Sequence, residues 1–248
     1  MLRSLKALRD YALSATDGEI GKVITSYIDD QTWSIRYFVV ETGTWLNHRE
    51  VLIAPLALGI PDWDAKHIPV LLTQEQVKNS PPIDVEKPVS RQMEEQLSSH
   101  YGWAPYWEVG LTPFGTGAVD VAQMLESRQK DEEGVQEHPA NTHLRSTREV
   151  IGYEIHAKDG NLGYLNDLIV DDQMWPVRYL VVALDKRQVL ISPHWVSNVD
   201  WSLKRVSLDL DKMSIKLGPD FDPKAPVNRE YEVRLYDYYG RPKYWVRV

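Results

Sequence analysis

The sequence predicts a mainly β protein of two small β-barrels related by internal duplication, each followed by a short helical tail. Three observations predict it. A twelve-residue stretch occurs twice, as Asp29-Asp30-Gln31-Thr32-Trp33-Ser34-Ile35-Arg36-Tyr37-Phe38-Val39-Val40 and as Asp171-Asp172-Gln173-Met174-Trp175-Pro176-Val177-Arg178-Tyr179-Leu180-Val181-Val182. Glycine-marked turns and short strands recur around both copies. Each copy then runs into a proline-marked stretch with helical spacing.

Taken in order, Asp17-Gly18 and Asp159-Gly160 are hairpin-turn dipeptides with strands on both sides. Gly21 and Gly163 sit just inside the next strand, where a bulge or a barrel corner commonly needs glycine. From Asp17 to Val40, 11 of 24 positions are identical to their partners at an offset of 142, which fixes the register. The acidic pair, Gln and Trp form a turn. Ile35 to Val40 and Val177 to Val182 are β-branched and aromatic, the mark of a buried strand. A loop of variable length follows (Thr42 to Arg49, Leu184 to Arg187), and the offset becomes 138. Val51-Leu52-Ile53-Ala54-Pro55 then matches Val189-Leu190-Ile191-Ser192-Pro193, and Asp62-Trp63 matches Asp200-Trp201. Shorter strands are expected around Ile68 to Leu72 and Arg205 to Leu210. So many short strands in so few residues point to a small closed barrel.

In the tails, Thr73-Gln74-Glu75-Gln76 reads as a capping box opening a short helix, stopped by Pro81-Pro82, as Pro219 stops its counterpart. Val89, Met93, Leu97 and Tyr101 recur every four residues, as do Val227, Tyr231, Leu235 and Tyr239. Each set makes one apolar helical face, ended by Gly102 or Gly240. A barrel of about 70 residues has little inward surface left for that stripe and the following Tyr-Trp (Tyr106-Trp107, Tyr244-Trp245). The tails are therefore expected to exchange between units or subunits. The domains read as 1–107, an acidic linker 108–146 with a helix around Val121 to Lys130, and 147–248.

The chain has no cysteine, which excludes disulfides, thiolate zinc sites and a cysteine nucleophile. The N-terminus is too charged for a secretory segment, and the near-apolar run Val51 to Ile60 is short and broken by Pro55. A soluble, cytoplasmic protein is expected. Net charge is −8, divided as −4 over 1–107, −4 over 108–147 and zero over 148–248. Without a basic face, nucleic acid is not an expected partner.

At these residues the chain resembles the PRC-barrel family, present as two copies. The resemblance rests on Asp17-Gly18-x-x-Gly21, on Asp29-Asp30…Trp33…Arg36-Tyr37-x-Val39-Val40 and on Val51-Leu52-Ile53-x-Pro55. All three recur, through Gly160, Gly163, Asp171, Asp172, Trp175, Arg178, Tyr179 and Pro193. The Arg-x-x-Glu…Leu…Tyr-Gly…Tyr-Trp tails resemble extensions of bacterial two-barrel members. The family includes the cytoplasmic domain of the photosynthetic reaction-centre H subunit and the C-terminal domain of ribosome-maturation factors. It implies docking on larger assemblies rather than catalysis. This chain lacks the transmembrane helix of the former and has a second copy of the same barrel where the latter carry a different one. The resemblance leaves three roles open: a protein-docking scaffold, a peripheral accessory of a membrane photosynthetic or electron-transfer complex, and a ribosome- or RNA-associated factor.

The acidic pairs read as turn residues, one pairing with Arg36 or Arg178, because a calcium loop needs a denser set of oxygen ligands. The seven histidines do not recur between the copies, so no catalytic, metal or cofactor residue is assigned. Trp33/Trp175, Trp63/Trp201 and Trp107/Trp245 are matched and read as parts of the fold. Trp45 and His48, in the longer loop, are candidate partner contacts. So are Tyr236, Tyr238, Tyr244 and Trp245, in a tail that mixes arginine and tyrosine, where a single-stranded RNA surface was the alternative to a clamp on the barrel or on a second subunit.

Overall fold

In a computed structural model, residues 1–83, 89–107, 143–185 and 187–246 are described. The 108–146 linker expected from the sequence, with its helix, lies almost wholly outside them. The protein is mainly β and forms two compact units, Ala12–Arg145 and Met1–Tyr11 with Ser146–Val248. Residues 1–11, expected with the first repeat, thus belong to the second unit. No described helix is long and apolar enough to cross a membrane.

The first unit holds a mixed six-stranded sheet. Five of its strands are β2 (Ala12–Ala15), β3 (Gly18–Asp29), β4 (Ser34–Thr42), β5 (Glu50–Ile53) and β6 (His67–Pro69), in the order β5-β4-β3-β2-β6. The Asp17-Gly18 turn closes the β2–β3 hairpin as expected, and β2 pairs parallel with β6. The second unit repeats this arrangement with β8 (Glu154–Ala157), β9 (Gly160–Asp171), β10 (Val177–Ala183), β11 (Gln188–Ile191), β12 (Val196–Asp200), β13 (Arg205–Leu208) and β14 (Asp220–Phe221). Their order is β12-β13-β8-β9-β10-β11-β14.

Neither sheet closes into a barrel by strand pairing among the described residues, which corrects the closed barrels expected from the sequence. The first sheet ends at β5 and β6, the second at β12 and β14. In the first unit the neighbour of β6 is reduced to isolated bridges, Leu58 with Val70 and Asp62 with His67. Pro61 and Pro69 flank them, and proline cannot donate to a ladder.

β3 and β9 are the long strands on which each sheet is built. At Gly21 a Cβ would lie 1.9 Å from the Glu41 carbonyl oxygen, and at Gly163 2.1 Å from that of Ala183. Any side chain there would push β4 or β10 away, so this close approach is what demands glycine. The far half of each long strand receives a short strand from the other repeat. β1 (Leu2–Ser4) pairs with Asp171, Val170 and Ile169 of β9, and β7 (Leu144–Ser146) pairs with β3. Both are Leu-Arg-Ser, and they occupy equivalent positions in the duplication. The amide of Asp172 donates to the Met1 carbonyl and that of Asp30 to the His143 carbonyl, each at 2.9 Å. Arg3 lies 3.2 Å from Asp172 and Arg145 3.4 Å from Asp30. The exchange expected of the tails is thus made by the leading strands. Behind β1, Leu5 and Leu8 are buried, and Asp167 accepts from Ser4 Oγ and from the Lys6 amide.

The tails are helical and stay on their own repeats. α1 (Gln74–Lys78) begins at a full Thr73–Gln76 capping box. α2 (Arg91–Tyr101) is capped by Ser90 and ends at Gly102 in the left-handed region, with Leu97 and Tyr101 buried. In the second unit a single helical turn, α3 (Thr147–Val150), leads into β8. α4 (Lys212–Lys216) follows β13, and α5 (Arg229–Tyr239) runs from an Asn228 cap to Gly240. The hydroxyl of Tyr179 on β10 donates to Glu232 on α5 at 2.7 Å, so this tail closes on its own sheet.

If the leading segment completes the second unit, Leu8→Ala, at a side chain 1% exposed, destabilises that unit by about 2–5 kcal/mol. Amide exchange should then speed up along β9 and β10 while β3 and β4 keep their protection. Loss of protection confined to β3 and β4 would return residues 1–11 to the first repeat.

Candidate functional site

The matched polar residues gather at the turn before β4 and β10 and at the tail that packs on it. Asp29 Oδ1 accepts from the amides of Gln31 and Thr32, both at 3.0 Å, and its Oδ2 binds Arg36 Nε at 3.2 Å and an Arg36 terminal nitrogen at 3.0 Å. Asp171 accepts from the Gln173 amide at 3.1 Å and binds Arg178 at 3.3 Å. The turn closes with Trp33 and Trp175 at φ 51° and 62°, in the left-handed region, and each Trp amide donates 2.9 Å back to Asp29 or Asp171. The acidic pairs are thus turn builders: the first Asp holds the turn and the arginine, and the second holds the exchanged strand.

Each arginine then carries the tail. Arg36 Cζ lies 3.8 Å from the centre of the Tyr106 ring, and Arg178 Cζ 4.3 Å from that of Tyr244. The next aromatic residue is covered from the helix: Arg91 stacks on Trp107 and Arg229 on Trp245, both at 4.1 Å. Between them lies a carboxylate one turn into the helix. Tyr106 donates to Glu94 at 2.7 Å, and Tyr179 and Tyr244 donate to Glu232 at 2.7 and 2.8 Å. Arg91 and Arg229 complete the sets at 3.4 and 3.0 Å.

Burial pushes the Glu94 carboxyl up to about 7, against opposing pulls from the Tyr106 hydroxyl and Arg91. Burial also raises the phenols of Tyr37, Tyr106, Tyr179 and Tyr244 well above their ordinary range. They stay neutral, and Tyr106, Tyr179 and Tyr244 serve as fixed donors. This chemistry locks a tail onto a sheet. The Arg-x-x-Glu motif is visible in the sequence, but nothing there places its Glu against the tyrosine twelve residues on. Pro55 and Pro193 each open a 3-10 turn after the last strand of the hairpin. Gly18 lies against Gln74, and Gly160 takes a φ of 123° in its turn.

The candidate contacts fare differently. Trp45 is half-buried and donates to the Ile20 carbonyl at 2.7 Å, so it packs on its own unit. His48 is exposed, 3.0 Å from Glu41. Tyr236 is 1% exposed, packed on Trp195 and Trp245, and is a core residue, not a contact. Tyr244 and Trp245 are half-buried in the lock. Tyr238 is on the surface at 44% exposure and donates to the Ser214 carbonyl at 3.0 Å.

Exposed apolar residues that sequence reasoning missed lie where the repeats differ. In the first unit they are Leu56, Ile60 and Leu71 beside the β6 edge, where the second has His194, Asn198 and Asp209. In the second unit they include Tyr164, Met174 and Leu203, and also Met213 on α4 and Leu217 at its end, where the first has Glu75 and Asn79. Aligning the repeats by number would have found them. A shallow depression along α2, lined by Gln92, Glu95, Gln96, Ser99 and His100, is open to solvent. Among the described residues no group of three or more His, Asp or Glu side chains is placed to hold a metal ion. No protein-family model and no curated protein matches the chain.

Glu94 gives the lock a pH dependence with a definite sign. Its folded value of about 7 lies above the ordinary 4.5, so the folded state holds the proton more tightly. This contribution is fully present below about 4.5, is lost as pH rises towards 7, and amounts to roughly 3 kcal/mol. Glu94→Gln should therefore gain stability relative to the parent between pH 4.5 and 7, read from amide exchange of α2. A difference that stays flat across that window would show the carboxyl titrating normally.

Proposed function

We propose that this is a non-catalytic protein–protein docking protein built from two PRC-barrel-like units. One observation carries the reading: among the described residues, polar side chains that recur in both copies are turned inward on one another. Asp29, Arg36, Glu94 and Tyr106, with Asp171, Arg178, Glu232 and Tyr244, are polar residues that recur in both copies, and they bond to one another within the tail lock. Exposed apolar residues, by contrast, stand at places where the copies differ, as Leu56, Ile60, Met213 and Leu217 do. That is the pattern of a repeated scaffold whose copies present different surfaces.

The PRC-barrel relation is supported by the glycine, Asp-Asp turn and Arg-Tyr strand motifs, each doing the same structural job in both repeats. The barrel in this reading is a bent sheet finished by a helix and a strand from the other repeat. An RNA-stacking tail has less support. Tyr236 is in the core and Tyr244 lies under Arg178, so two of the aromatic faces such binding needs are taken.

Purification of the tagged full-length protein from its own host, under native conditions, tests the reading. A protein partner should co-elute at a fixed stoichiometry and survive nuclease treatment. Elution of the chain alone, or with RNA in place of protein, would overturn it.

A further inference from the structure

The two repeats build the same corner from α1 with α2 and from α4 with α5, and give it opposite surfaces. In the first, His100 Nε2 lies 2.8 Å from the Gln76 carbonyl; in the second, Tyr238 reaches the equivalent Ser214 carbonyl at 3.0 Å. The backbone of the following helix start is held alike, by Asp17 on the Gln74 amide at 2.7 Å and by Asp159 on the Lys212 amide at 2.8 Å. On this common frame the first repeat shows Gln74, Glu75, Lys78, Asn79, Gln96 and His100, with no net charge. The second shows Lys212, Met213, Lys216, Leu217, Arg234 and Tyr238, with three positive charges.

Met213, 65% exposed, and Leu217, 67% exposed, are four residues apart and so share the outward face of α4. Lys212 and Lys216 flank that face, and Arg234 stands one turn before Tyr238 on α5. Of the acidic residues nearby, Asp237 is paired with Lys243 at 2.7 Å, Asp159 holds the Lys212 amide, Asp211 sits at the helix start and Glu230 stands one turn before Arg234. The corner is therefore an apolar centre whose rim carries three cations, Lys212, Lys216 and Arg234, against the two acids Asp211 and Glu230. A bare apolar trio of this size on one repeat and not its sister asks for a cover.

We propose that this corner of the second unit docks an acidic, amphipathic segment of a partner protein. Its apolar side chains rest on Met213, Leu217 and Tyr238, and its carboxylates meet Lys212, Lys216 and Arg234. Met, Tyr and Arg are the residues of protein-interface centres, whereas surfaces that insert into a bilayer favour Trp, Phe and Leu on the apolar side. The assignment deepens the docking reading and rests on it.

The test uses the full-length chain and a phage-displayed random peptide library. One variant, Met213→Glu with Leu217→Asn and Tyr238→His, installs the residues that the first repeat carries at the same places, so the fold has a precedent for them. A second, Lys216→Glu with Arg234→Glu, changes charge alone and decides the matter should the first fail to fold. The parent should select peptides that mix Asp or Glu with large apolar residues, and both variants should bind them about tenfold or more weakly. Selected peptides without acidic residues, or binding unchanged in the variants, would overturn the proposal. Variant-sensitive binding to phosphatidylserine vesicles with no peptide selected would also overturn it, in favour of a membrane. A native partner that the first variant still captures disproves this corner while docking stands. Capture by neither chain removes the docking reading and this assignment together.

Discussion

The ion pair between Asp29 and Arg36, repeated as Asp171 with Arg178, is the contact on which each unit depends. One carboxylate oxygen orders the turn amides and the other fixes the arginine. With its charge met from one side, the guanidinium lies flat and offers its face to Tyr106 or Tyr244. These side chains are mostly withdrawn from water, at 12% and 7% exposure for Arg36 and Asp29. In that setting the loss of either partner would strand a charge, which is far more costly than losing an exposed pair. The turn, the strand it starts and the tail that covers it are thus coupled through one pair.

The neighbouring acid extends the same turn to the chain topology. Asp30 and Asp172 give an amide to the incoming backbone and a carboxylate to its arginine. A three-residue strand has few ladder bonds of its own, and this extra pair pins its register. The remaining strength comes from Leu5 and Leu8 behind β1, and from Leu144, fully buried in β7. Because each repeat supplies a strand to the other's sheet, neither repeat by itself contains every strand of that sheet.

The copies diverge where this shared frame leaves freedom. The lock residues keep their identity because hydrogen-bond geometry leaves little choice, while most core positions keep only their apolar character, as at Phe38 and Leu180 or Val77 and Ile215. Exposed corners carry no such constraint. There a Glu75 or a Met213 satisfies the fold equally well, and the difference is available for recognition.

The sequence by itself determined the duplication, the β character, the Asp-Gly turns, the glycines at the close approaches, the acidic turn with its arginine, and the helical tails with their glycine stops. All of these are local, set by period, turn chemistry and steric need within about a dozen residues. Three features were decided only by the tertiary structure. The sheets stay open because edge pairing depends on strands far apart in the chain, and Pro61 and Pro69 account only for the missing counterpart of β12 beside β6 in the first. The exchanged element is the Leu-Arg-Ser strand rather than the tail, since the tail finds its own sheet through Glu94 or Glu232. Tyr236 is core while Tyr238 is surface, although both are tyrosines two residues apart. The helix rotates them to different sides, and only the sheet beneath says which side is in.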